Sequence, residues 1–353
     1  CSSLGHQAVM PIVIEGDVCV IYDQQAHISM QEMSYKMNQN GTFITMLRHS
    51  RLDELEKKII EYRGRFKKIW YVIDGVYSMY GDFAPVDDII KLLDKYKQLY
   101  LYVDDAHGMS WIGQNGTGYF LSQTTLHPKI ILATSLAKGF GSCGGVFVFP
   151  NNELRDKVKN WGGPLTYSGP QQPATIGASI ASAKIHLSDE IYALQRSLKE
   201  KIAFCNYIFE KHQLPLVSNS NAPIFFLGVG LTRMGYNMVK RLMDEGFYTN
   251  LGIFPAVPES CTGIRFTITN HLKIEDIEKF AQKMAYHLPK ALNEEGRTMN
   301  DIIRAFKKVV NLEEKIKSSN HISEEPTASF KIQRCRSINE INKMEWNERN
   351  GKT

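Results

Sequence analysis

The sequence has no long apolar segment. None of its apolar runs reaches the length of about eighteen residues that a membrane-spanning helix needs. Its first residues, C-S-S-L-G-H-Q, also lack the order of basic and then apolar residues that marks a secretory signal. These absences argue against a protein with apolar membrane-spanning helices, and we expect a cytoplasmic protein with no transmembrane segment.

Metal-ligand spacings and a strong charge of either sign are also lacking. Six cysteines are present, but they form no C-x-x-C pair or other metal-binding spacing, so we expect scattered reduced thiols and no metal site. The net charge of +5 is mild for 353 residues. It does not indicate nucleic-acid binding, although it is compatible with an acidic protein partner.

Strands and helices alternate in the first part of the chain. Four apolar runs predict buried strands, at residues 18–21, 69–73, 99–103 and 130–133. Amphipathic patterns at residues 52–62 and 86–96 predict helices between them. Strands that are apolar throughout and separated by helices are typical of a parallel sheet covered on both faces. The predicted fold class is therefore α/β, with a mostly parallel, doubly wound sheet in a large domain.

The pattern changes after a long helical segment at residues 174–212, which is long enough for two helices or one bent connector. Two further strands and two helices follow, at residues 224–228, 234–245, 263–269 and 274–288. This order predicts a smaller α+β carboxyl-terminal domain. We expect a charged helix to continue from Asn293 to Lys317, and the Ser, Asn, Glu and Pro content of the residues after it is typical of a linker.

The predicted domains are a large domain at residues 1–213 and a small domain at residues 214–292. Residues 293–329 form the charged helix and linker, and residues 330–353 form a tail or the start of a further domain. The sequence opens at Cys1 in what looks like the middle of a structural unit. We therefore expect the amino-terminal part of the large domain to be missing.

Lys138 stands in an unusual position for a lysine. It follows the buried strand at residues 130–133, a pair of hydroxyl side chains and Ala137, and a glycine-rich turn comes directly after it. The carboxyl ends of strands are where open α/β sheets build their sites. Our working hypothesis is that Lys138 carries a cofactor as a Schiff base.

The glycine-rich turn at residues 139–144 matches the G-x-G-x-x-G pattern of dinucleotide-binding proteins. In those proteins the turn opens a helix, whereas here V-F-V-F follows and predicts another strand. The context therefore argues against a dinucleotide site and favours the lysine interpretation.

The segment Y-V-D-D-A-H-G at residues 102–108 places two carboxylates and a histidine directly after a strand. Asp104 could simply cap a turn. A nucleotide-hydrolysis motif is a second interpretation, but the chain has no G-x-x-x-x-G-K-[ST] phosphate loop to accompany it. A third is a carboxylate that pairs with a protonated pyridine nitrogen, because a buried cationic ring needs a partner.

Four segments together resemble the α-oxoamine synthases, which are pyridoxal-phosphate enzymes of fold type I. The segments are Q-A-H-I-S-M at residues 25–30, D-G-V-Y-S-M-Y-G-D at 74–82, V-D-D-A-H-G at 103–108 and S-L-A-K-G-F-G at 135–141. The resemblance covers roughly residues 1–292 in collinear order. It implies a fold type I enzyme whose cofactor is pyridoxal 5'-phosphate, bound by the large domain.

The resemblance also implies roles for individual residues. Lys138 would be the Schiff-base lysine, and Asp104 would pair with the pyridine nitrogen of the cofactor. His107 would contact the phenolic oxygen, and His27 would stack on the ring. A histidine that merely caps a loop is the alternative for His27.

Five more residues match positions that contact cofactor or substrate in the family. Ser78 would lie near the phenolic oxygen, and Ser135 would take the place of a phosphate-binding threonine. Ser2 and Ser3 match the turn whose amides hold the phosphate at a helix start. Arg265 would clamp the substrate carboxylate, which suits its planar fork of donors. A turn residue is the alternative for Ser78, and a surface charge is the alternative for Arg265.

The implied reaction is the decarboxylating condensation of an amino acid with an acyl thioester to give an α-amino ketone. The thioester could be on coenzyme A or on an acyl carrier protein, and the mild basic excess leans slightly towards the acidic carrier. A homodimer with the active site at its interface is also implied. An aminotransferase on the same fold and an inactive partner subunit are the alternatives.

Two departures from the family pattern stand out. Tyr167 and Ser168 are followed by Gly169, where several members have a hydroxyl residue that reaches the phosphate in the neighbouring subunit. His49 lies where the family often has a His-Asn-Asp turn, but Ser50 follows it here, so we assign it no role. We expect Asp82 to fix the turn after Gly81 and not to touch cofactor.

Overall fold

The computed structural model describes residues 1–218 and 220–307, which belong to one compact unit. The predicted linker, the tail and the end of the charged helix lie outside the described residues. Within the described part, no helix has both the length and the apolar character to span a membrane.

The larger of two sheets contains the first six strands. They are β1 (Val18–Asp23), β2 (Phe43–Leu47), β3 (Lys68–Asp74), β4 (Leu99–Asp104), β5 (Ile130–Ser135) and β6 (Gly145–Val148). Their order across the sheet is β2-β1-β3-β4-β5-β6. All neighbours are parallel except β5 and β6, which are antiparallel. The predicted mostly parallel sheet is confirmed.

Helices separate and follow these strands, and several of them cover the two faces of the sheet. They are α1 (Ser2–Val13), α2 (Ile28–Gln39), α3 (Leu52–Tyr62), α4 (Val86–Lys95), α5 (Tyr119–Gln123), α6 (Asn152–Trp161), α7 (Gly163–Tyr167), α8 (Pro173–His186) and α9 (Glu190–Lys211). Alternate strand residues point to opposite faces. Tyr71 thus packs in one core with helices α3 and α4, while Val72 packs in another with α1 and α2. Each apolar strand is buried on both sides, as a doubly wound sheet requires.

Several elements were not predicted from the sequence, among them α2 and β2, and one ambiguity is resolved. Helix α2 is polar except for a stripe that includes Met30, Met33 and Met37, and strand β2 is a partly exposed edge strand. The stripe on α2 is narrow, and β2 reads F-I-T-M-L, a short apolar run interrupted by Thr45 that sequence reasoning overlooked. The long segment at residues 174–212 is two helices, α8 and α9, separated by a short break after His186.

A second sheet has three antiparallel strands in the order β7-β9-β8. They are β7 (Ile224–Gly230), β8 (Asn250–Gly252) and β9 (Thr262–Thr267). The helices that follow or separate them are α10 (Thr232–Asp244), α11 (Ile274–Glu294) and α12 (Met299–Phe306). This agrees with the predicted α+β arrangement, although its domain boundaries stay predictions.

The expected continuous helix from Asn293 is wrong. Helix α11 runs on to Glu294, the chain turns through Gly296 with φ of +60°, and α12 begins at Met299. Asp301 ends the interruption, because its carboxylate accepts a 2.9 Å hydrogen bond from the Thr298 amide. Helix α12 then packs on β7 with Ile302 and Phe306 buried. Apolar packing of the second sheet therefore continues past residue 292.

Candidate active site

The carboxyl edge of the large sheet gathers most of the predicted site residues. Strand register places Asp74 beside Asp104, and Asp104 beside Ala133. The chain segments that leave β1, β3, β4 and β5 at this edge carry His27, Ser78, His107 and Lys138. Parallel strands bring these segments together because all their carboxyl ends lie on one side.

Asp104 is held as an anion at the centre of this edge. One carboxylate oxygen accepts from the Ala106 amide at 2.9 Å, and the other lies 3.0 Å from His6 Nε2. Burial by itself raises the pKa of Asp104, but the hydrogen bond from His6 and the charges of His6 and Lys138 outweigh it and lower that pKa below its usual value.

His6 is a site residue that sequence reasoning missed. It lies on α1 with no exposed surface, and its Nδ1 is 2.9 Å from the Tyr102 hydroxyl while Nε2 faces Asp104. The available signal was its place on the apolar side of the helix, at helical spacing from Val9 and Met10. A histidine there has to find polar partners inside the protein.

The pKa values of two neighbouring carboxyl groups are shifted in the opposite direction to that of Asp104. Burial, and then the charge of Asp104, raise the pKa of Asp74 well above its usual value. Asp74 accepts the His27 amide at 3.0 Å. Burial also raises the pKa of Asp105 to about 8, although this carboxyl accepts from the Phe120 amide at 2.9 Å. Of the three adjacent carboxyls, Asp104 alone has a lowered pKa.

Asp105 is enclosed by glycines and serves packing. A Cβ added to Gly75, Gly108 or Gly118 would come within 2.5 Å of an Asp105 carboxylate oxygen. Only glycine fits at these three positions, so the turns after β3 and β4 close around this side chain. Asp105 therefore explains why the motif has two aspartates but one candidate partner for a ring nitrogen.

Lys138 lies in the turn after β5, with its side chain accessible to solvent. The protein around the Lys138 side chain partly desolvates its amine and so lowers the pKa of Lys138, and the charge of Arg265 lowers it further, while Asp104 and Asp74 act in the opposite direction. The turn closes through hydrogen bonds from the Gly141 amide to the Lys138 carbonyl and from the Ser142 amide to the Leu136 carbonyl. Strand β6 follows, as the argument against a dinucleotide site expected.

The two predicted histidines are both neutral. Burial and the positive charges of Lys138 and Arg265 lower the pKa of His107 to about 3. Burial also lowers the pKa of His27, whose Nδ1 lies 2.7 Å from Ser29 Oγ and caps α2. The capping alternative for His27 is thus correct for one ring nitrogen. The ring also lies near enough to Asp104 and Lys138 for their charges to shift the pKa of His27.

Arg265 reaches the site from the second sheet. It lies on β9, half-buried, and its Nε donates a 2.7 Å hydrogen bond to the Ser78 carbonyl oxygen. Burial lowers the pKa of Arg265, and its charge acts on both His107 and Lys138. Arg265 is therefore a site cation and not a surface charge. The role expected for the Ser78 hydroxyl stays a prediction.

The three predicted phosphate-binding serines lie close together. Ser2 and Ser3 are in the first turn of α1, where backbone amides have no partner within the helix. Ser2 approaches Gly145, which pairs with Ser135 across β5 and β6. Ser135 is buried and its Oγ accepts from the Ala137 amide at 3.2 Å. The start of α1, with the hydroxyls of Ser2, Ser3 and Ser135 nearby, is suited to a phosphate, and this assignment stays a prediction.

These residues fit pyridoxal 5'-phosphate by the chemistry of their donors. A buried anion at Asp104 suits a protonated ring nitrogen, and the accessible amine of Lys138 suits an aldehyde. Neutral His27 can lie against a ring, and the start of α1 suits a phosphate dianion. No part of this set requires a metal ion.

Comparison with known protein families matches residues 13–284 to the family described as aminotransferase class I and II. An 8-amino-7-oxononanoate synthase from Alkaliphilus metalliredigens is 28% identical over 289 residues, covering 78% of this chain and 69% of the relative. Another from Coprothermobacter proteolyticus is 30% identical over 285 residues, covering 79% and 68%. The chain spans about two thirds of the length of these relatives.

Solved structures show the same fold. A serine palmitoyltransferase from S. paucimobilis, determined with bound PLP and myriocin, superposes with a TM-score of 0.73 at 21% identity, over 82% of this chain and 71% of that chain. An 8-amino-7-oxononanoate synthase from Francisella tularensis gives a TM-score of 0.69 at 18% identity, over 82% and 80%. The chain therefore belongs to the aminotransferase class I and II family and, within it, to the pyridoxal-phosphate-dependent α-oxoamine synthases.

Proposed function

We propose that this protein condenses an amino acid with an acyl thioester, releases carbon dioxide and free thiol, and forms an α-amino ketone. The observation that carries the proposal is the convergence of Lys138, anionic Asp104 and Arg265 at one sheet edge. An inactive partner subunit would not need all three groups. The relatives named as 8-amino-7-oxononanoate synthases support condensation over transamination.

Lys138 acts first as the attachment point for the cofactor and then as a base. The lowered pKa of Lys138 makes its free amine available at a lower pH than that of an ordinary lysine, so it can remove the α-proton of the bound amino acid. When bound, pyridoxal phosphate supplies the electron sink for the resulting carbanion. Lys138 is placed to return the proton after carbon dioxide has left.

Asp104 and the two histidines set the charge around the ring. Anionic Asp104 keeps a proton on the ring nitrogen, and His6 and Ala106 hold the carboxylate in place for that task. His107 stays neutral because burial and nearby cations lower its pKa to about 3, so it can donate a hydrogen bond without adding positive charge. His27 faces the same cluster of charges as a neutral ring.

Arg265 binds the carboxylate of the amino acid in this proposal. Its Nε is occupied by Ser78, which leaves the terminal nitrogens to form charge-assisted hydrogen bonds with a substrate. Replacing Arg265 by alanine is expected to weaken amino-acid affinity by about 10- to 100-fold, since hydrogen bonds to charged groups contribute about 1.5–3 kcal/mol. Spectroscopic titration of the cofactor-loaded enzyme with L-alanine and L-serine measures this affinity.

Arg297→Ala is the matched control, because Arg297 is exposed and lies between α11 and α12, which belong with the second sheet. It should leave the titration unchanged. Equal affinities in the Arg265→Ala variant and the parent enzyme would remove Arg265 from the substrate site.

The reaction itself is tested by its products. Purified full-length protein is loaded with pyridoxal phosphate and given a small matrix of amino acids with acyl thioesters, on coenzyme A in one arm and on acyl carrier protein in the other. Free thiol and carbon dioxide in equal amounts support condensation. A keto acid formed without thiol would replace this proposal by transamination, and the active arm identifies the acyl carrier.

The homodimer implied by the family has a matching surface at α8. This helix is rich in alanine and isoleucine, but His186 is its one buried residue, and Ile176 and Ile180 are 43% and 53% exposed. The helix also packs against the turn that carries Lys138, since Ser142 Oγ donates to the Thr175 carbonyl at 2.9 Å. A second copy seated on α8 would lie beside the active site.

The double variant Ile176→Glu and Ile180→Glu is expected to convert the dimer to monomers, because two charges would be buried without partners. Light scattering coupled to gel filtration reports the mass. Tyr248→Glu changes an exposed residue just before β8, in the second sheet, and should keep the parent mass. A parent protein that is monomeric, or a double variant that stays dimeric, would contradict this interface.

A further inference from the structure

His49 forms a bridge between two carboxylates outside the cofactor cluster. It lies just after β2, with Nδ1 2.9 Å from Asp23 Oδ1 and Nε2 2.6 Å from Asp82 Oδ2. Asp23 ends β1 and is fully buried, whereas the Asp82 side chain is 31% exposed in the turn after β3. One imidazole thus joins segments that follow three different strands.

Aromatic and polar groups surround the His49 ring and its partner Asp23. The Tyr77 ring packs edge-on against His49 at a centroid distance of 4.3 Å, and Ser50 Oγ lies 3.4 Å from Nε2. Asp23 also accepts from the amides of Gln25 and Ser50, each at 2.8 Å. The Tyr71 hydroxyl donates to Asp23 as well, at 3.3 Å.

Two carboxylates therefore face the ring, and no cationic side chain is among these contacts. Burial by itself lowers the pKa of His49, but the hydrogen bonds and charges of Asp23 and Asp82 raise it to about 9. Both ring nitrogens can then donate, one to each carboxylate.

The turn at residues 77–82 connects this bridge to the substrate side of the active site. Backbone hydrogen bonds from Tyr77 to Asp82 at 2.9 Å and from Gly81 to Tyr77 at 3.0 Å close the turn. Gly81 has a φ of +70° and lies so close to the Ile224 carbonyl that a Cβ would come within 2.5 Å of it. Within this turn, the Ser78 carbonyl accepts the hydrogen bond from Arg265.

We propose that His49 is a positioning residue that fixes the turn at residues 77–82 and, through the Ser78 carbonyl, the orientation of Arg265. The inference rests on the proposed role of Arg265 in binding the substrate carboxylate. His49 touches neither cofactor nor substrate. Its loss should weaken amino-acid binding more than cofactor binding, because Lys138 and Asp104 do not depend on this turn for their contacts, although Ser78 lies within it.

The pH dependence follows from the sign of the shift. The folded protein holds the His49 proton more tightly than the unfolded chain does, so the bridge is complete at neutral pH, where both carboxylates are ionised, and is lost as pH rises through about 9. Amino-acid affinity should fall over the same range. Removing one carboxylate should move this loss to lower pH, since the protonated ring would have one negative neighbour fewer.

The experiment compares His49→Gln and Asp82→Asn with the parent enzyme. Cofactor affinity is measured by titration with pyridoxal phosphate, and amino-acid affinity by spectroscopic titration with L-alanine and L-serine from pH 7 to 10, the range around the value of about 9 for His49. We expect His49→Gln to weaken amino-acid affinity about tenfold or more, as small misplacements of binding groups do, with a smaller change in cofactor affinity. Asp82→Asn should shift the alkaline loss of affinity to lower pH.

Proton NMR of the cofactor-free protein gives an independent reading. The His49 ring signal, identified by its absence in His49→Gln, should titrate near pH 9 in the parent and at lower pH in Asp82→Asn. His127→Gln is the matched control, because His127 pairs with Asp94 on the surface at 3.4 Å. It should change neither affinity nor the His49 signal.

Three results would overturn the inference. They are an amino-acid affinity in His49→Gln equal to that of the parent, a loss of affinity at alkaline pH that does not shift in Asp82→Asn, and a His49 NMR signal that titrates near the ordinary pKa of histidine. The Arg265→Ala titration distinguishes failure of the proposed substrate site from failure of the positioning role of His49. If Arg265→Ala binds amino acids normally, the proposed substrate site fails. If Arg265→Ala is impaired and His49→Gln is not, the positioning role of His49 fails by itself.

Discussion

Replacing Lys138 by alanine is expected to abolish the visible absorption band of the lysine-bound cofactor and to reduce turnover by at least ~10³-fold. The substitution removes both the attachment point and the base, and a positioned base alone contributes about 10²- to 10⁴-fold. The accessible amine of Lys138, with its lowered pKa, lies among Asp104, Asp74 and Arg265. Absorption spectra of the protein after cofactor addition and gel filtration provide the measurement.

Lys159→Ala is the control, because Lys159 is an exposed lysine on α6. It should keep both the band and the activity. Some cofactor can still bind to Lys138→Ala without a covalent link, since Asp104 and the start of α1 are unchanged. A Lys138→Ala protein with the parent's band would show that another lysine carries the cofactor.

Replacing Asp104 by asparagine is expected to slow turnover on the order of 10²-fold or more, or roughly 3 kcal/mol in the barrier, since each ~1.4 kcal/mol is a factor of ten. Asparagine keeps the shape but removes the charge that holds a proton on the ring nitrogen. It also turns an amide towards His6 or Ala106, which now face a carboxylate. Steady-state rates measured with the best substrate pair from the product assay give the comparison.

Asp105→Asn tests whether the effect belongs to Asp104 or to any nearby carboxyl. Asp105 is equally buried, but its pKa is raised to about 8, so at neutral pH it is already uncharged. Asparagine can still accept from the Phe120 amide. Its activity should stay near that of the parent. Equal rates for Asp104→Asn and the parent would contradict the role of Asp104 in the electron sink.

The sequence predicts the sheet edge because its signals are local. Each of the strands before Asp74, Asp104 and Lys138 is a short apolar run, and parallel packing then places their carboxyl ends together. The same reasoning places Lys138 at this edge. It also shows that the glycine-rich turn after Lys138 is not a dinucleotide-binding motif, since the strand that follows the turn is another local pattern.

Contacts between distant segments could not be predicted in this way. His6 is 98 positions from Asp104, and its apolar helix gives no sign of which carboxylate it will meet. The distinction between Asp104 and Asp105 depends on three glycines closing around the second carboxyl. The bridge made by His49 needs β1, β2 and β3 to be adjacent before its two partners can be known.

Burial also decides properties that residue types leave open. His27, His107 and Lys138 each have a lowered pKa, with burial as the main cause. Burial is also the main reason that the pKa of Asp74 is raised. An isolated motif contains no information on burial. The family resemblance supplied the candidate roles, and the packed structure supplies the protonation states that make several of those roles workable.

The central claim, that Lys138 carries the cofactor, is tested most directly by reduction and peptide mapping. The protein is loaded with pyridoxal phosphate, treated with borohydride to make the lysine linkage permanent, digested and analysed by mass spectrometry. We predict one major phosphopyridoxyl-modified peptide, with the label on Lys138. A label on a different lysine, with Lys138 recovered unmodified, would contradict the account.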